Sequence, residues 1–570
     1  MEQSRLFIAI GISFLIVFLW SVFFTPKTPK TPDQAVKDGT AQIAPADNAE
    51  QPKTAPPAAP PATATTPPPV TAPATMPAQP TKKTAKTVTV DTALYRATLS
   101  EKGGAVLHFV LKDYREALDK KSPLKEVIHS ETPGGTLLVS LPGVPGADLE
   151  KAVYTIDTDL SQVTVGTNPQ PIRFTFQTPS GIRVEKIYTF HPDSYLIDLK
   201  VNVFNGGAQT YKGSLALGLR NTPDKAGARI GFQGTSGYIG GDLKQIKAKN
   251  FDEKGRVSGA IGWVAIVDRY FMTSIIPTGD LEGHMVLSEE KITKQNQGDI
   301  DVLKNQVVKD IPALAPQQTA TLETTVFMGP KSLKLLRSFH NNLDKAVNFG
   351  FFDFLAKPCL WFMNFIYGFI PNYGIAIIIL TILTRGMFWP LAKKSYKSMG
   401  EMRKIQPLMQ EIREKYKDDK QRMNQEMMTL YRTYKINPLG GCLPMLIQLP
   451  VFFALYRMLY SAIELRHAPF FGWITDLSAP DRLFHFGFEV PYMENPDGIP
   501  VMTLLMGASM LLQQKMTPTP GDPAQAKMMM LMPIIFTFIF INFSSGLVLY
   551  WFVSNIFSIA QQYYTQKQTA

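Results

Sequence analysis

In the stretch Ile375–Ala392, IAIIILTILTRGMFWPLA, a single arginine interrupts a largely apolar helical run that ends at Lys393 and Lys394. At 1.5 Å of rise per residue, Arg385 lies roughly 12 Å inward of that lysine pair along the axis. A cation at such depth is costly unless it finds water or a partner, and Thr381, one turn earlier, is its polar neighbour on the same helix face. Either the side chain snorkels to the interface, or it faces a wet cavity inside a membrane bundle. Other polar residues bear on the choice. Thr381, Arg385, Gln448, Gln513, Gln514 and Asn555 belong to four different helical segments, at mid-depth or in the inner half of each. Hydrogen bonding between helices explains any one of them. A shared hydrated pocket, closed towards the outside, explains them together, and the cavity is the reading carried forward. Trp551 and Asn555, four apart, share a helix face.

Other chemistries find little support. His108, His129, His191 and His284 are scattered, with no metal-ligand or catalytic-pair spacing, and read as surface or packing residues. No Gly-rich phosphate loop with a following Lys-Ser/Thr occurs, so nothing points to ATP hydrolysis. The two cysteines, Cys359 and Cys442, lie near span ends and give the large polar domain no disulfide framework. Neither a cofactor nor a metal is expected. The net charge of +11 is not spread as on a nucleic-acid binder, because 393–435 alone holds 12 Lys/Arg against six Asp/Glu. A basic segment between spans is the positive-inside signature.

The elements that position these residues read in order. Leu6–Phe24 is long and apolar enough to span a bilayer and ends without a small-x-small cleavage pattern, so 1–25 is expected to be an uncleaved anchor with its amino end inside. The segment 26–87 is Pro/Ala/Thr-rich, with eleven prolines in the thirty residues from Gln51 to Pro80, and reads as a flexible tether. From 88 to 329 the period becomes two: Ile197, Leu199, Val201 and Val203 alternate with polar residues, and Val106–Leu111, Val184–Phe190, Arg269–Ile276 and Thr319–Met328 read similarly. Gly103-Gly104, Pro192-Asp193, Gly206-Gly207 and Pro277-Thr278-Gly279 mark turns between them. This predicts a large all-β sandwich outside the cytoplasm, in which a peptide- or sugar-binding cleft stays open. Over 330–349, Leu333, Leu336, Phe339, Leu343 and Val347 fall on one face, as in an amphipathic interfacial helix; a domain-capping helix is the alternative.

The region 350–570 is expected to be a membrane core. Leu360–Pro390 contains the second span, running inward. The cytoplasmic segment 393–436 predicts a helical hairpin whose Met-rich seam, with Met423, Met427 and Tyr431, either packs the hairpin or meets varied apolar segments. A third span runs from Cys442 to about Ala462, a fourth over Val501–Gln514, and Met528–Phe543 with Leu547–Ile559 forms a membrane hairpin after an inner loop at 515–527. Several spans are short, which thins the bilayer around them. The whole is a polytopic α-helical bundle of six transmembrane helices with both termini cytoplasmic.

TRGMFWPL, DDKQRMNQEMMTLY, NPLGGCLPMLIQLPVFFALY, ELRHAPFFGWITDLS and SSGLVLYWFVSN together resemble the YidC membrane-protein insertases, relatives of mitochondrial and chloroplast insertases, in the Gram-negative form. The resemblance implies a periplasmic β-supersandwich akin to sugar-mutarotase folds, an inner-membrane location, and no enzymatic activity. It implies insertion and folding of newly made membrane proteins through a hydrophilic groove open to cytoplasm and lipid. By position, Arg385 matches the groove arginine, Thr381 and Phe452 match groove positions near substrate, and Gln448, Gln514 and Asn555 match polar groove residues. Tyr550 and Trp551 stand where relatives carry two aromatics. The implied partners are nascent membrane proteins, membrane lipids, the Sec translocon, and the ribosome through the inner loop and C-terminal tail, with no direct nucleic-acid contact. A non-catalytic scaffold for the translocon is the principal alternative. A solute transporter fits less well, because no internal repeat is present.

Overall fold

The computed structural model describes residues 85–144, 148–223, 231–294, 298–339, 341–434, 443–488, 490–494, 497–517 and 523–569. The expected anchor at 1–25 and the tether up to residue 84 lie outside them.

Alternation builds the β region. In Leu196–Asn205, Ile197, Leu199, Val201 and Val203 are buried while Asp198 and Lys200 are exposed, as a half-buried strand requires. This strand pairs antiparallel with Ile182–Phe190 on one side and Thr319–Pro330 on the other. Two sheets result, one of five strands and one of 13, and their apolar faces share one core. Tyr95 of the smaller sheet stacks on Phe109 at 4.4 Å and reaches Tyr195, beside the larger sheet, at 6.4 Å.

The turn Gly103-Gly104 has φ of +69° and +52°, a region open to glycine at little steric cost. It also presses on the core, since a Cβ on Gly103 would lie 2.7 Å from the Glu150 carbonyl oxygen. That approach lets the fully buried Lys186 Nζ donate to the carbonyls of Gly103 (3.0 Å), Gly104 (2.6 Å) and Leu137 (2.7 Å). One ammonium thus ties a turn and a loop to the larger sheet. Burial pushes its pKa down to about 7.

The histidines pair singly with carboxylates: His108 with Glu126 at 2.5 Å, His191 with Asp198 at 2.9 Å, His284 with Asp310 at 3.0 Å. His284 also meets Ser258 at 2.8 Å, making a hydroxyl–imidazole–carboxylate row. The row crosses adjacent strands on a sheet face where Ser258 and Asp310 are exposed.

The single amphipathic helix expected over 330–349 does not form. Leu333–Arg337 makes a five-residue helix, Asn342 turns the chain at φ +55°, and Leu343–Ala346 forms a 3-10 turn. Leu333, Leu336 and Leu343 are buried in the shared core, Phe339 packs on Phe327 at 5.6 Å, and the Asn342 carbonyl accepts from the Trp263 indole at 3.2 Å. The apolar face belongs to the β region, as in the capping alternative, and the left-handed Asn342 interrupts the helix.

The remaining chain is mostly helical, with one small two-stranded sheet of Leu483–His485 and Gly498–Ile499: α1 (Asp353–Phe369), α2 (Tyr373–Met387), α3 (Trp389–Lys404), α4 (Gln406–Lys415), α5 (Lys420–Thr433), α6 (Leu443–Ser461), α7 (Val501–Met516), α8 (Pro523–Phe540) and α9 (Ser545–Thr569). The segment Leu360–Pro390 is two helices broken at 370–372, where Pro371 follows an extended Ile370 and the Asn372 side chain caps α2 by accepting from the Ile375 amide at 3.2 Å. Tyr367 and Tyr373 stack at 4.1 Å across the break. On α1, Ala356, Leu360 and Met363 face the core, while Phe354, Trp361, Phe365 and Phe369 form an exposed aromatic row. Among the described residues no single helix is by itself long and apolar enough to cross a membrane; α2 and α3 reach that length and composition only as a pair bent by 63°, as in a broken span or a re-entrant loop. Pro390 at the start of α3 fits that bend, because it lacks an amide hydrogen. Helix α8 begins at Pro523, inside the expected 515–527 loop.

Helices α4 and α5 form a hairpin. Met402, Ile405 and Met409 are buried against Met427, Leu430 and Tyr431, and the Tyr431 hydroxyl lies 4.0 Å from the Met409 sulfur. Met427 and Tyr431 are therefore seam-packing residues, and Met423 is half-buried.

Candidate functional site

The site grows from the meeting of α2, α6 and α9. Arg385 is half-buried in the last turn of α2. Its Nε donates to the Ser554 hydroxyl at 2.6 Å, Nη2 donates to the same oxygen, and Nη1 donates to the Gln448 side-chain carbonyl at 2.8 Å. The phenols of Tyr396 and Tyr550 also act on its charge, and among the described residues no carboxylate does. A guanidinium carries five N–H donors and keeps its proton, so two donors remain beyond these bonds. The arrangement can hold an anion or a polar acceptor and cannot perform acid–base catalysis.

Helix α9 supplies the scaffold through two polar stripes. Ser554, Ser558 and Gln561 point to α2 and α3, meeting Arg385, Tyr396 and, at 3.2 Å, the Trp389 carbonyl. Asn555 and Gln562 point to α7: the Asn555 amide donates to Ser509 at 3.0 Å and that of Gln562 to the Met516 carbonyl at 2.8 Å. The hydrogen-bonded unit of Arg385 thus includes Gln448, while Asn555 is a contact between helices on the other side of α9. Thr381 is buried with its hydroxyl on the Ile377 carbonyl at 2.6 Å, a local bond one turn back. Gln514 keeps a buried amide nitrogen with no partner among the described residues.

An aromatic group adjoins the polar one. Trp551 packs edge-on to Phe452 at 4.8 Å and to Phe540 at 4.7 Å, with Phe536 at 6.0 Å. Phe452 stacks on Tyr456 at 6.0 Å. Tyr550 is buried next to this group. Phe452 and Gln448 lie four apart on α6, so one helix face presents both the amide and the ring.

Sequence reasoning missed Ser554, Ser509 and Tyr396. The spacing of Ser554, Ser558, Gln561 and Thr565, all buried, was a usable signal, because steps of four, three and four place small polar groups on one helix face.

Comparison with known proteins gives a consistent result. The family description "YidC periplasmic domain" matches residues 87–362, and "60Kd inner membrane protein" matches 365–570. A membrane protein insertase YidC of Syntrophus aciditrophicus (strain SB) is 39% identical over 99% of this chain and 100% of its own length. Another, of Pelobacter propionicus (strain DSM 2379 / NBRC 103807 / OttBd1), is 38% identical over 99% of each. A solved active YidC insertase, with its first transmembrane domain resolved, aligns over 85% of this chain and 93% of that one at 19% identity and a TM-score of 0.36.

Proposed function

The chain belongs to the YidC family of inner-membrane insertases, with a periplasmic β-rich domain and a helical C-terminal part, and on that premise we propose that Arg385, Gln448 and Ser554 form the polar floor of its substrate groove. The observation that carries this reading is a cation held on a neutral amide and a neutral hydroxyl, with no carboxylate acting on it among the described residues. An uncompensated charge attracts acidic segments, and more strongly in a low-dielectric setting than in bulk water.

The steps follow from solvation. A nascent span is apolar, but the tail it must carry across is polar and loses hydration in lipid. A groove lined by Arg385, Gln448 and Ser554 takes up that tail, shortening the apolar distance it crosses. Phe452 and Trp551 offer the emerging span an apolar flank. The span then leaves sideways into lipid, because burying about 20 apolar residues is strongly favourable. No covalent step is involved. Thr381 is buried with its hydroxyl on its own helix, and Asn555 fixes α7 to α9 through Ser509.

Six transmembrane helices, with both termini and the α4–α5 hairpin in the cytoplasm, fit the basic segment at 393–435. In this arrangement 1–25 anchors the chain, 26–87 tethers the β domain, and the interfacial role expected of 330–349 passes to the aromatic row of α1. The hairpin gathers substrate by its exposed Met428 and Tyr434 and its half-buried Met423. The inner loop and C-terminal tail meet the ribosome, and the Sec translocon is a further partner.

The test uses the purified protein alone in liposomes, with a single-span substrate bearing an acidic outer tail. Protease protection of that tail is expected with the wild type and is expected to fall sharply with Arg385→Ala. Equal protection with both would reduce Arg385 to a contact between helices; none above empty liposomes would favour the scaffold reading.

A further inference from the structure

Between α6 and α7, the segment that starts at the strand Leu483–His485 holds out a row of aromatic rings. Phe484 is 72% exposed, Phe488 68% and Tyr492 98%, and Phe486 stacks nearly parallel on Phe488 at 5.4 Å. Phe484 and Tyr492 hold φ of +55° and +68°, the left-handed region that bulky side chains rarely enter. Backbone strain kept where two rings stand in the open points to a use for those rings. The segment is fixed to two helices. Asp481 accepts from the Met502 amide at 2.7 Å and the Thr503 hydroxyl at 3.0 Å, which ties it to the start of α7. In the α8–α9 turn, the Asn542 side-chain amide donates to the Tyr492 carbonyl at 2.7 Å, and its oxygen accepts from the Glu494 amide at 2.9 Å. Helix α8 ends at Phe540, with Phe538 and Ile539 exposed in its last turn. Asn542, two residues on, therefore joins that apolar turn directly to Tyr492. Residues 483–494 contain two glutamates and no lysine or arginine.

We propose that this aromatic loop is seated in the bilayer interface at the tip of the α8–α9 hairpin, a placement that rests on α8 and α9 spanning the membrane. The phenylalanine rings gain by leaving water. A tyrosine settles where its ring meets acyl chains and its hydroxyl meets headgroups. With no lysine or arginine on the loop, attraction to anionic headgroups contributes nothing, and the seating is indifferent to lipid charge and to salt. A protein partner would also bury the rings. The rings, however, hang from a turn whose helix already presents Phe538 and Ile539 to lipid on this reading, so the lipid is the occupant beside them.

The test uses the full-length protein in phosphatidylcholine liposomes, with Cys359 and Cys442 replaced by alanine and a nitroxide on one introduced cysteine. The label goes in turn to G487C, F538C and G166C. An added Cβ at Gly487 meets nothing within 4 Å, so all four rings stay, and Gly166 of the β region is equally open. Collision with oxygen against collision with a water-soluble nickel chelate reads depth. Labels at 487 and 538 are expected to favour oxygen several-fold over the label at 166. The value at 487 is expected to hold when phosphatidylglycerol or salt is added. F484S/F486S/F488S/Y492S is expected to bring the 487 label to the value at 166 and to leave 538 unchanged. A water-like 487 with a lipid-like 538 would overturn the seating of the loop and leave the spanning helices standing, whereas a water-like 538 would overturn both. A label at 487 shielded from both colliders would mean protein over the rings and would overturn the lipid. One that stays in lipid after the four serines would overturn the role of the rings.

Discussion

Arg385 on α2 and Ser554 on α9, 169 residues apart, share one hydrogen-bonded oxygen, with Nε 2.6 Å from the hydroxyl. The bond makes the position of the charge a property of two helices. Removing the serine hydroxyl is expected to weaken insertion of acidic-tailed substrates by a few-fold, in line with about 1 kcal/mol for a lost hydrogen bond. Arg385→Ala is expected to cost about tenfold or more. A double-mutant cycle on insertion yield should give a coupling of about 0.5–3 kcal/mol; additive effects would mean the two residues act separately.

Lys186 gives the β region a pH-dependent stability. Its pKa is about 7 in the fold against about 10.4 in an unfolded chain. Between these values the unfolded state binds more protons, so this residue makes stability rise with pH across that window, and the gain is lost as pH falls towards 7. Unfolding followed by Trp263 fluorescence should show this slope, and Lys186→Met should flatten it. At neutral pH the same substitution strands the carbonyls of Gly103, Gly104 and Leu137 and is expected to cost about 3 kcal/mol.

The junction between the β region and α6 turns on Arg269. Its Nε donates to the Tyr460 carbonyl at 2.8 Å, and its guanidinium lies 3.6 Å from the centre of the Tyr460 ring. Nearby, Ser332 donates to Glu464 at 3.3 Å. Arg269→Ala is expected to loosen the C-terminal end of α6 by about 2 kcal/mol. Faster hydrogen exchange at 460–466, with the β core unchanged, is the expected signature; uniform exchange throughout would count against a local clamp.

One glycine sets how closely two helices approach, a second seats a loop ring against α2, and a third does neither. A Cβ on Gly507 would run into the Thr537 hydroxyl of α8, and one on Gly374 into the Phe470 ring, whereas Gly386 has open space. Gly507→Ala and Gly374→Ala are expected to lower stability in detergent by about 1–3 kcal/mol. Gly386→Ala should be neutral or stabilising by about 0.5–1 kcal/mol. Thermal unfolding of the three variants side by side checks the order.

Period two in Ile197–Val203 was legible because a half-exposed strand shows its two faces in the order of its residues. Arg385 stood out for a similar reason, since a charge in an apolar run has no local explanation, but the rise of one straight helix from it to Lys393 does not hold, because α2 and α3 are bent by 63° between them. The segment 330–349 misled because helical spacing is also met by a short turn and a 3-10 turn packed on a sheet, and nothing local distinguishes a face meeting lipid from one meeting Phe327. The break at 370–372 was signalled by Pro371 and Asn372, yet the apolar residues on both sides merged into one run. Ser554 was hidden because small hydroxyls barely alter hydropathy. Asn555 and Ser554, adjacent in sequence, face different helices, which required knowing where α7 lies.

The bond from Arg385 to Ser554 also imposes an order in time. At about 5–20 residues per second, the ribosome releases Ser554 roughly 8–34 s after Arg385, from their separation of 169 residues. During that interval the guanidinium has at most Gln448 to hold. A copy of this protein still being made therefore has no finished site of its own until α9 arrives. Chains stopped before Ser554 would carry the charge without the helix that places it.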